Sequence, residues 1–445
     1  MKHKIVLFIL CALFSLSPFC TLSSFSPSGR IWTLSDCIQY ALDNNIDIKR
    51  QKIQMEKQAI EVQTQQLSRL PDLGINGTQK FDFGRSLNRE NTYDDINSQN
   101  SSFSLSTEVP LFTGMKTTHS IALQKLELKV HTENLEKIEN DMALQITVNY
   151  FQILLNKEIL SIAKEQITLS KELEEITKTL ALHGKVAESQ VYDVQAQLAN
   201  DELTATKAQN TFRLSIVDLI QLLELKEVST FDIETIQEDI HMSFLSNPNE
   251  IYTVAEQIMP EIKSAELSVE SNQRAIKVAQ SGYYPTLSFA AGISSNYYHY
   301  SNMENPSFSN QLENNLQKTL YLTLRIPLFN RMSTRNAVRT ARKNWEDSRL
   351  IAEQTHKTLY KEIQKAYYDA LSAQEKYTST QKAVYANSEA LRYAWEKYNA
   401  GKFTAYEYNE IKLKLANSQS EQAQAKYEFM LQKKLLDFYT GIPIQ

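Results

Sequence analysis

The sequence predicts a mainly α-helical protein with a small β part, in which long antiparallel coiled-coil helices dominate. Two segments of 69 residues, Met115–His183 and Met332–Ala400, contain neither glycine nor proline. Glycine costs about 1 kcal/mol and proline about 3 kcal/mol inside a helix, so each segment favours one continuous helix, roughly 100 Å long. A pair of strand-like stretches precedes each segment and accounts for the β part.

The chain also carries an internal duplication. Pro-Leu-Phe precedes each long segment at 110–112 and 327–329, and Gly-Lys follows at 184–185 and 401–402. Both spacings are 217 residues (327 − 110 and 401 − 184), and the spacing is 214 nearer the start of each half, between Pro71 and Pro285. Because such repeats define the architecture, we expect two structural repeats, 25–228 and 261–445, joined by a connector at 229–260.

The N-terminus predicts a cleaved secretory signal peptide, residues 1–24. Two early lysines precede the apolar run Ile5–Phe14, and small residues follow it. A membrane anchor is the alternative, but the run is short for a membrane span and Pro18 interrupts its end. The formal net charge of −5 gives no case for a nucleic-acid partner.

Two helices are expected at the start of the mature chain. Thr33 followed by Asp36 resembles a capping box, and a second helix should run from about Asp47 to Ser68. Beyond each Gly-Lys, apolar residues recur at coiled-coil spacing along a narrow seam, which Asp201 and Ser215 interrupt. A narrow seam suits a wall one helix thick with water on both sides, although the pattern alone favours an ordinary antiparallel coiled-coil rod, which is the commoner structure.

Four strands are predicted, two at about 72–110 and two at about 286–327. Apolar residues alternate with polar or small ones in each, and the last strand carries the apolar row Leu320, Leu322, Leu324 and Ile326. Polar loops, Gly84–Ser102 and Tyr297–Lys318, join the members of each pair. Strands of about ten residues cross a bilayer, yet small barrels need about eight strands, so a membrane role requires several copies. A soluble hairpin that caps a helical rod is the alternative.

The residues give no sign of catalytic chemistry. No histidine has a second histidine or a cysteine at metal-ligand spacing, and no glycine-rich phosphate loop occurs, so we expect no enzyme activity and no cofactor. The two glycine turns are more informative, because glycine suits the left-handed position that ends a helix. We expect the apolar side chains of Leu182, Val186 and Phe403 to be exposed there, which favours a partner-binding tip. The tip would be formed by Leu182, His183, Gly184, Lys185, Val186, Ala400, Gly401, Lys402, Phe403 and Thr404.

From Trp32 to Pro443 the chain resembles the TolC family of outer-membrane efflux proteins. The resemblance rests on the opening Trp-Thr-Leu-Ser-Asp-Cys-Ile-Gln-Tyr-Ala-Leu, on the repeated Pro-x-Leu and Pro-Leu-Phe motifs, and on the segments that follow the two glycine turns. It implies a homotrimer, with four strands per chain in a twelve-stranded outer-membrane β-barrel and helices in a periplasmic α-barrel. The row 320–326 would then face outer-membrane lipid.

The same resemblance implies partners and a gate. The tips would meet a periplasmic adaptor protein that couples the duct to an inner-membrane RND or ABC-type pump. Acidic residues often line the periplasmic constriction in this family, and the candidates here are Glu389, Arg392 and Glu396. Arg331 stands where the first half has Gly114, so we expect the two strand-to-helix junctions to differ. The alternative function is a soluble periplasmic coiled-coil adaptor or scaffold.

Overall fold

The computed structural model describes residues 31–87, 91–95, 97–226, 231–235, 247–301 and 304–444. The predicted signal peptide and part of the predicted connector lie outside these residues. The first half contains β1 (Ile31–Trp32), α1 (Leu34–Asn44), α2 (Ile46–Leu67), β2 (Gly74–Asp82), β3 (Arg85–Leu87), β4 (Tyr93–Asp95), β5 (Ser98–Phe112), α3 (Lys116–Leu182) and α4 (Glu188–Leu222). The remainder contains β6 (Asp232–Ile233), α5 (Pro248–Ile258), α6 (Pro260–Gln280), β7 (Thr286–Tyr300), α7 (Phe308–Asn314), β8 (Gln317–Arg325), α8 (Ser333–Asn399) and α9 (Ala405–Tyr439).

The long helices confirm the prediction from the absence of glycine and proline. α3 and α8 each span 67 residues, and the returning helices α4 and α9 each span 35. Each pair packs as an antiparallel hairpin. The capping box at α1 is also confirmed, since the Thr33 side chain accepts from the Asp36 backbone N–H and the Asp36 carboxylate accepts from that of Thr33.

Four of the strands form one antiparallel sheet of order β2–β5–β7–β8, with β2 and β8 at its two edges, and β1 pairs with β6 in parallel. The helices attached to these strands pack in the same order, α2–α3–α6–α8. The four strands and their attached helices therefore form a wall in one side-by-side order, in which each strand is joined to its own helix.

β5 and β7 extend into the predicted polar loops, and the described residues of these loops also contain two short pieces of structure. β3 and β4 pair as a short hairpin, and α7 lies between β7 and β8. Neither has a hydrophobic period that would mark it in the sequence. β7 runs beyond β8, and three side-chain amides take the place of the missing strand by bonding alternate backbone groups of β7 at 2.7–2.9 Å: Asn315 to Asn296, Gln311 to Tyr298, and Asn305 to Tyr300. This arrangement shields a sheet edge that would otherwise be open.

The strand-to-helix junctions are alike, so the expected difference at Arg331 is wrong. Gly114 and Met115 have φ of +63° and +68°, and Arg331 and Met332 have φ of +54° and +61°. A Cβ on Gly114 would lie 2.8 Å from the Ser281 carbonyl oxygen, which requires glycine there. Arg331 is exposed, whereas Gly114 is buried.

The main core lies where β1, α1, α3, α4 and α9 meet. Tyr150 is fully buried there, and its hydroxyl donates to the Glu234 carbonyl at 2.7 Å. A second cluster joins α5, α6, α8 and α9, and a third lies near the ends of the hairpins. The first and third clusters link parts of both halves, so the two repeats form one body rather than two separate ones.

Candidate functional site: the sheet face and the helix tips

The four-stranded sheet has one mostly apolar face and one polar face. Val109, Phe289 and Leu322 lie directly opposite one another in three adjacent strands. Residues that pair across strands share a face, so the register collects the apolar side chains on one side: Ile75, Phe103, Leu105, Val109, Leu287, Phe289, Ile293, Leu320, Leu322 and Leu324. The opposite face carries Asn76, Thr78, Lys80, Ser104, Ser106, Ser288, Thr319, Tyr321 and Arg325.

The row predicted on the last strand lies mainly where expected. Leu320, Leu322 and Leu324 belong to β8, and all three are exposed on the apolar face. Ile326 does not belong to this strand, because β8 ends at Arg325 and the chain then turns toward α8. Contact between a continuous row of aliphatic side chains and water is unfavourable in free energy, so such a row indicates a surface that meets lipid or another protein.

The helical edge of the wall also exposes an apolar row, on α2. Ile46, Ile53, Ile60 and Leu67 recur every seven residues, and each is at least half exposed. Residues seven apart lie on one side of a helix, so these four form a continuous stripe. The sequence contains this spacing, but only the fold shows that the stripe lies on the uncovered side of an edge helix.

The glycine turns end the long helices as predicted. Gly184 and Gly401 both have φ of +69°. Lys185 N donates to the Leu180 carbonyl at 2.9 Å, and the Lys402 and Lys397 pair repeats this bond at 2.9 Å. This six-to-one bond is the Schellman ending, which requires a left-handed residue at the glycine position.

The expected apolar exposure at the tips is only partly correct. Leu182 is 87% exposed, whereas Val186 and Phe403 are half-buried. Phe403 packs against a core cluster, and the Lys397 ammonium lies 4.8 Å from the centre of its ring. The remaining predicted tip residues are exposed: His183, Gly184, Lys185, Ala400, Gly401, Lys402 and Thr404.

The two tips differ in how the next helix begins. Thr404 forms a capping box with Glu407, whose backbone N–H donates to the threonine hydroxyl at 3.2 Å. The Thr404 backbone N–H donates to the Glu407 carboxylate at 2.8 Å and, with the Thr404 hydroxyl, lowers the pKa of that carboxyl. Ala187 begins α4 without any side-chain cap.

The predicted gate residues form one exposed charged group on α8. The Arg392 guanidinium lies 2.9 Å from the Glu389 carboxylate and 3.3 Å from that of Glu396. The hydrogen bond to Glu389, together with contacts to Tyr393, raises the pKa of Arg392. The arginine thus offsets part of the negative charge that two glutamates would otherwise present.

A buried polar cluster that the sequence did not reveal joins the hairpins. The Lys412 ammonium lies 2.6 Å from the Asp201 carboxylate, and Lys412 is 2% exposed. Asp201 interrupts the apolar seam of α4, which is the only signal that the sequence gives. Its partner is 211 residues away on α9, so the pair could not be found from local spacing.

In the described residues no group of histidine, cysteine, aspartate or glutamate side chains could hold a metal ion. None of the described helices is both long and apolar enough to cross a membrane.

Comparisons with known proteins find the same architecture. The chain matches the Campylobacter jejuni CmeC outer membrane channel with a TM-score of 0.76, at 18% identity over 92% of this chain and 86% of that one. It matches the outer membrane protein VceC from Vibrio cholerae with a TM-score of 0.75, at 15% identity over 92% and 96%. At these identities the likeness is one of fold.

Sequence comparisons add a relative and a family match. "Toxin and drug export protein A" of Aggregatibacter actinomycetemcomitans is 23% identical over 307 residues, which is 67% of this chain and 63% of that protein. The match thus spans less than two thirds of the relative's length. The family model described as outer membrane efflux protein matches residues 37–224 and 251–441, so the chain belongs to the outer membrane efflux protein family.

Proposed function

We propose that this outer-membrane efflux protein acts as a homotrimer and is the passive exit duct of a tripartite efflux or type I secretion system. Four strands from each of three copies would close a twelve-stranded β-barrel, and the long helices would form a periplasmic α-barrel. The observation that carries the proposal is the repeat symmetry of the strand registers within the chain, from which a pairing between the two open edges of the sheet follows.

The registers within the two halves are related by the duplication. Shifting β2 numbers by 214 and β5 numbers by 217 carries the pair Gly74–Ser106 onto Ser288–Thr323, and that pair occurs between β7 and β8. The repeat therefore applies to strand pairing as well as to sequence.

The same shifts give the pairing expected between copies. β5 and β7 join the two halves, and Leu105 lies opposite Ile293. The repeat carries Leu105 onto Leu322 (105 + 217) and Ile293 onto Gln79 (293 − 214). We therefore expect Leu322 of β8 to lie opposite Gln79 of β2 in a neighbouring copy. Both positions belong to the mostly apolar face, so the predicted register keeps that face continuous.

Cysteine cross-linking in the outer-membrane fraction tests this assembly. Residues directly opposite in a sheet have Cβ atoms about 5 Å apart, and diagonal neighbours about 7–8 Å apart. Leu322→Cys combined with Gln79→Cys should give covalent dimers and trimers on a non-reducing gel. Leu322→Cys combined with Phe81→Cys, two residues out of register, should link far less efficiently. Monomers alone in both, with a monomeric native mass, would refute the trimer.

In the assembled barrel the mostly apolar face would meet outer-membrane lipid. Leu320, Leu322 and Leu324 would belong to its lipid-facing rows, with Ile326 at the periplasmic border beyond the strand. The polar face would line the water-filled interior. The apolar stripe on α2 would be covered by the α8 edge of the next copy, because α6, the repeat of α2, packs on α3, the repeat of α8.

The tips, residues 182–186 and 400–404, would dock onto a periplasmic adaptor coupled to an inner-membrane RND or ABC-type pump. The exposed Leu182 and the side-by-side arrangement of the two tips support this role. Export would be driven by the pump, and the duct would carry out no chemistry. The exposed group Glu389, Arg392 and Glu396 is our candidate for the periplasmic gate.

A further inference from the structure

An ion pair buried between three helices holds the two hairpins of one chain together. Asp201 on α4 accepts from Lys412 on α9 at 2.6 Å and from the Ser170 hydroxyl on α3 at 2.5 Å. Lys412 also donates to the Ser170 hydroxyl, and the second Asp201 oxygen accepts from Gln197 at 2.8 Å. The cluster is charged and hydrogen-bonded, with Lys412 fully buried and Asp201 mostly buried.

The duplication places a neutral set of residues at the equivalent positions. A shift of 217 relates Lys412, Asp201 and Ser170 to Gln195, Ser418 and Asn387 respectively. Asn387 Nδ2 donates to the Ser418 hydroxyl at 3.2 Å, as the equivalent Ser170 and Asp201 also bond each other. Gln195 lies on α4, in the other hairpin from Asn387 and Ser418, and its side-chain amide donates to the Glu174 carboxylate at 3.0 Å.

We propose that Gln195 of one copy packs against Asn387 and Ser418 of its neighbour, and that the helical wall opens along this neutral seam. The inference rests on the trimer proposed above. α3 and α4 contact α9 within the chain. α8 and α9 are the repeats of α3 and α4, with equal lengths and an offset of 217 residues. In a symmetric trimer, α8 and α9 would therefore contact α4 of the next copy as α3 and α4 contact α9 within the chain. The partner at this surface is a second copy of the chain.

The contact of Lys412 with Asp201 is the seam within a chain, and the contact of Gln195 with Ser418 is the seam between chains. The two seams differ in the free energy needed to separate them. Charge-assisted hydrogen bonds are roughly twice as strong as neutral ones. A small displacement at Lys412 would separate opposite charges before water could reach them, because the site is buried. Amide and hydroxyl groups exchange their partners for water at little net cost. Gln195 also keeps Glu174 as a partner within its own chain. The wall is therefore weaker between chains than within them.

Matched clamps on the two seams test this. Gln195→Cys/Ser418→Cys clamps the seam between chains, and Asp201→Cys/Lys412→Cys clamps the equivalent seam within a chain. Each purified trimer is treated with a short bis-maleimide, then analysed on a denaturing gel and by single-channel conductance in planar bilayers. The first variant should give covalent dimers and trimers and lose conductance. The second should migrate as a monomer and keep its conductance.

A second intrachain clamp covers the case in which loss of the ion pair prevents assembly. Thr177→Cys/Tyr398→Cys joins the halves at side chains whose hydroxyls are 2.6 Å apart and leaves Lys412 and Asp201 in place. A trimer in which Gln195→Cys/Ser418→Cys forms no interchain product would overturn the contact. Conductance lost only with the intrachain clamps would overturn the opening seam. A monomeric native mass of the wild-type protein would instead remove the trimer itself.

Discussion

The hydroxyl oxygens of Thr177 and Tyr398 lie 2.6 Å apart, although 221 residues separate them in the chain. The Thr177 hydroxyl donates to the Leu173 carbonyl at 2.6 Å, so Tyr398 is the donor to Thr177. Both residues are buried near the tips, and burial raises the pKa of Tyr398. This bond joins α3 to α8 near the tips of the two halves.

Removing the tyrosine hydroxyl should loosen the tips. Tyr398→Phe leaves the packing in place but removes one buried hydrogen bond, which typically contributes about 1 kcal/mol. Amide hydrogen exchange over residues 173–182 should show a local opening free energy lower by about that amount. Tyr393→Phe is the control, because Tyr393 is exposed on the same helix and should leave exchange unchanged. Equal protection in the Tyr398 variant and the wild type would contradict the role of the bond.

Arg331→Gly should stabilise the protein, whereas Gly114→Ala should destabilise it. A left-handed non-glycine residue costs about 1–2 kcal/mol, and glycine removes this strain. Glycine also raises the entropy of the unfolded chain, which offsets part of the stabilisation, so we expect a net increase in the free energy of unfolding of about 0.5–1 kcal/mol. At Gly114 the added Cβ would meet backbone at 2.8 Å, where no flexible side chain can yield. Melting temperatures of the detergent-extracted variants measure both effects. A lower melting temperature for Arg331→Gly would mean that the arginine makes a stabilising contact in the assembly.

Much of the helical architecture could be predicted because its signals are local. The absence of glycine and proline placed α3 and α8 within one residue at each end, and Thr33 with Asp36 marked the start of α1. Alternation of apolar and polar residues located all four long strands. The loop elements escaped prediction because α7 is held by Gln311 and its neighbours bonding to β7, not by an apolar period.

The charged cluster and the backbone conformation of the junctions could not be predicted without the three-dimensional structure. Asp201 stood out only as a break in a seam, since Lys412 reaches it from the other half of the chain. Arg331 suggested a different backbone because glycine is the usual left-handed residue, yet an exposed position tolerates the strain that arginine brings. Phe403 looked exposed at a turn, and tertiary packing covers it.

A charge on the apolar sheet face should block membrane assembly, and a charge on the polar face should not. Leu322→Arg would place a cation in the lipid-facing row at a cost of about 2–4 kcal/mol near the bilayer centre. Thr323→Arg is the matched control, because its side chain lies on the opposite face one residue away. Heat-modifiable gel mobility of the outer-membrane fraction reports assembly. Normal assembly of Leu322→Arg, or failure of Thr323→Arg alone, would reverse the proposed facing of the sheet.

Charge at the glycine turns should impair export without dissociating the trimer. Gly401→Asp and Gly401→Asn have side chains of the same shape and share the strain of a φ of +69°, so only the charge differs between them. The Cβ of either would enter open space. We expect Gly401→Asp to weaken adaptor pull-down and export, while Gly401→Asn retains most of both. The same comparison applies at Gly184. Equal loss in the Asp and Asn variants would assign the effect to backbone strain rather than to docking.

Acid should fray the second tip before the first. The backbone N–H and hydroxyl of Thr404 lower the pKa of Glu407 from its ordinary value of 4.5. A carboxyl whose folded pKa is depressed stabilises the folded state above its unfolded pKa, and that contribution disappears as the pH falls through the folded pKa. Intrinsic-rate-corrected amide protection at residues 404–407 should therefore fall below about pH 4.5. Protection at the start of α4, where Ala187 provides no side-chain cap, should not show this step. Glu407→Gln should remove it, and persistence of the step in that variant would assign it to another group.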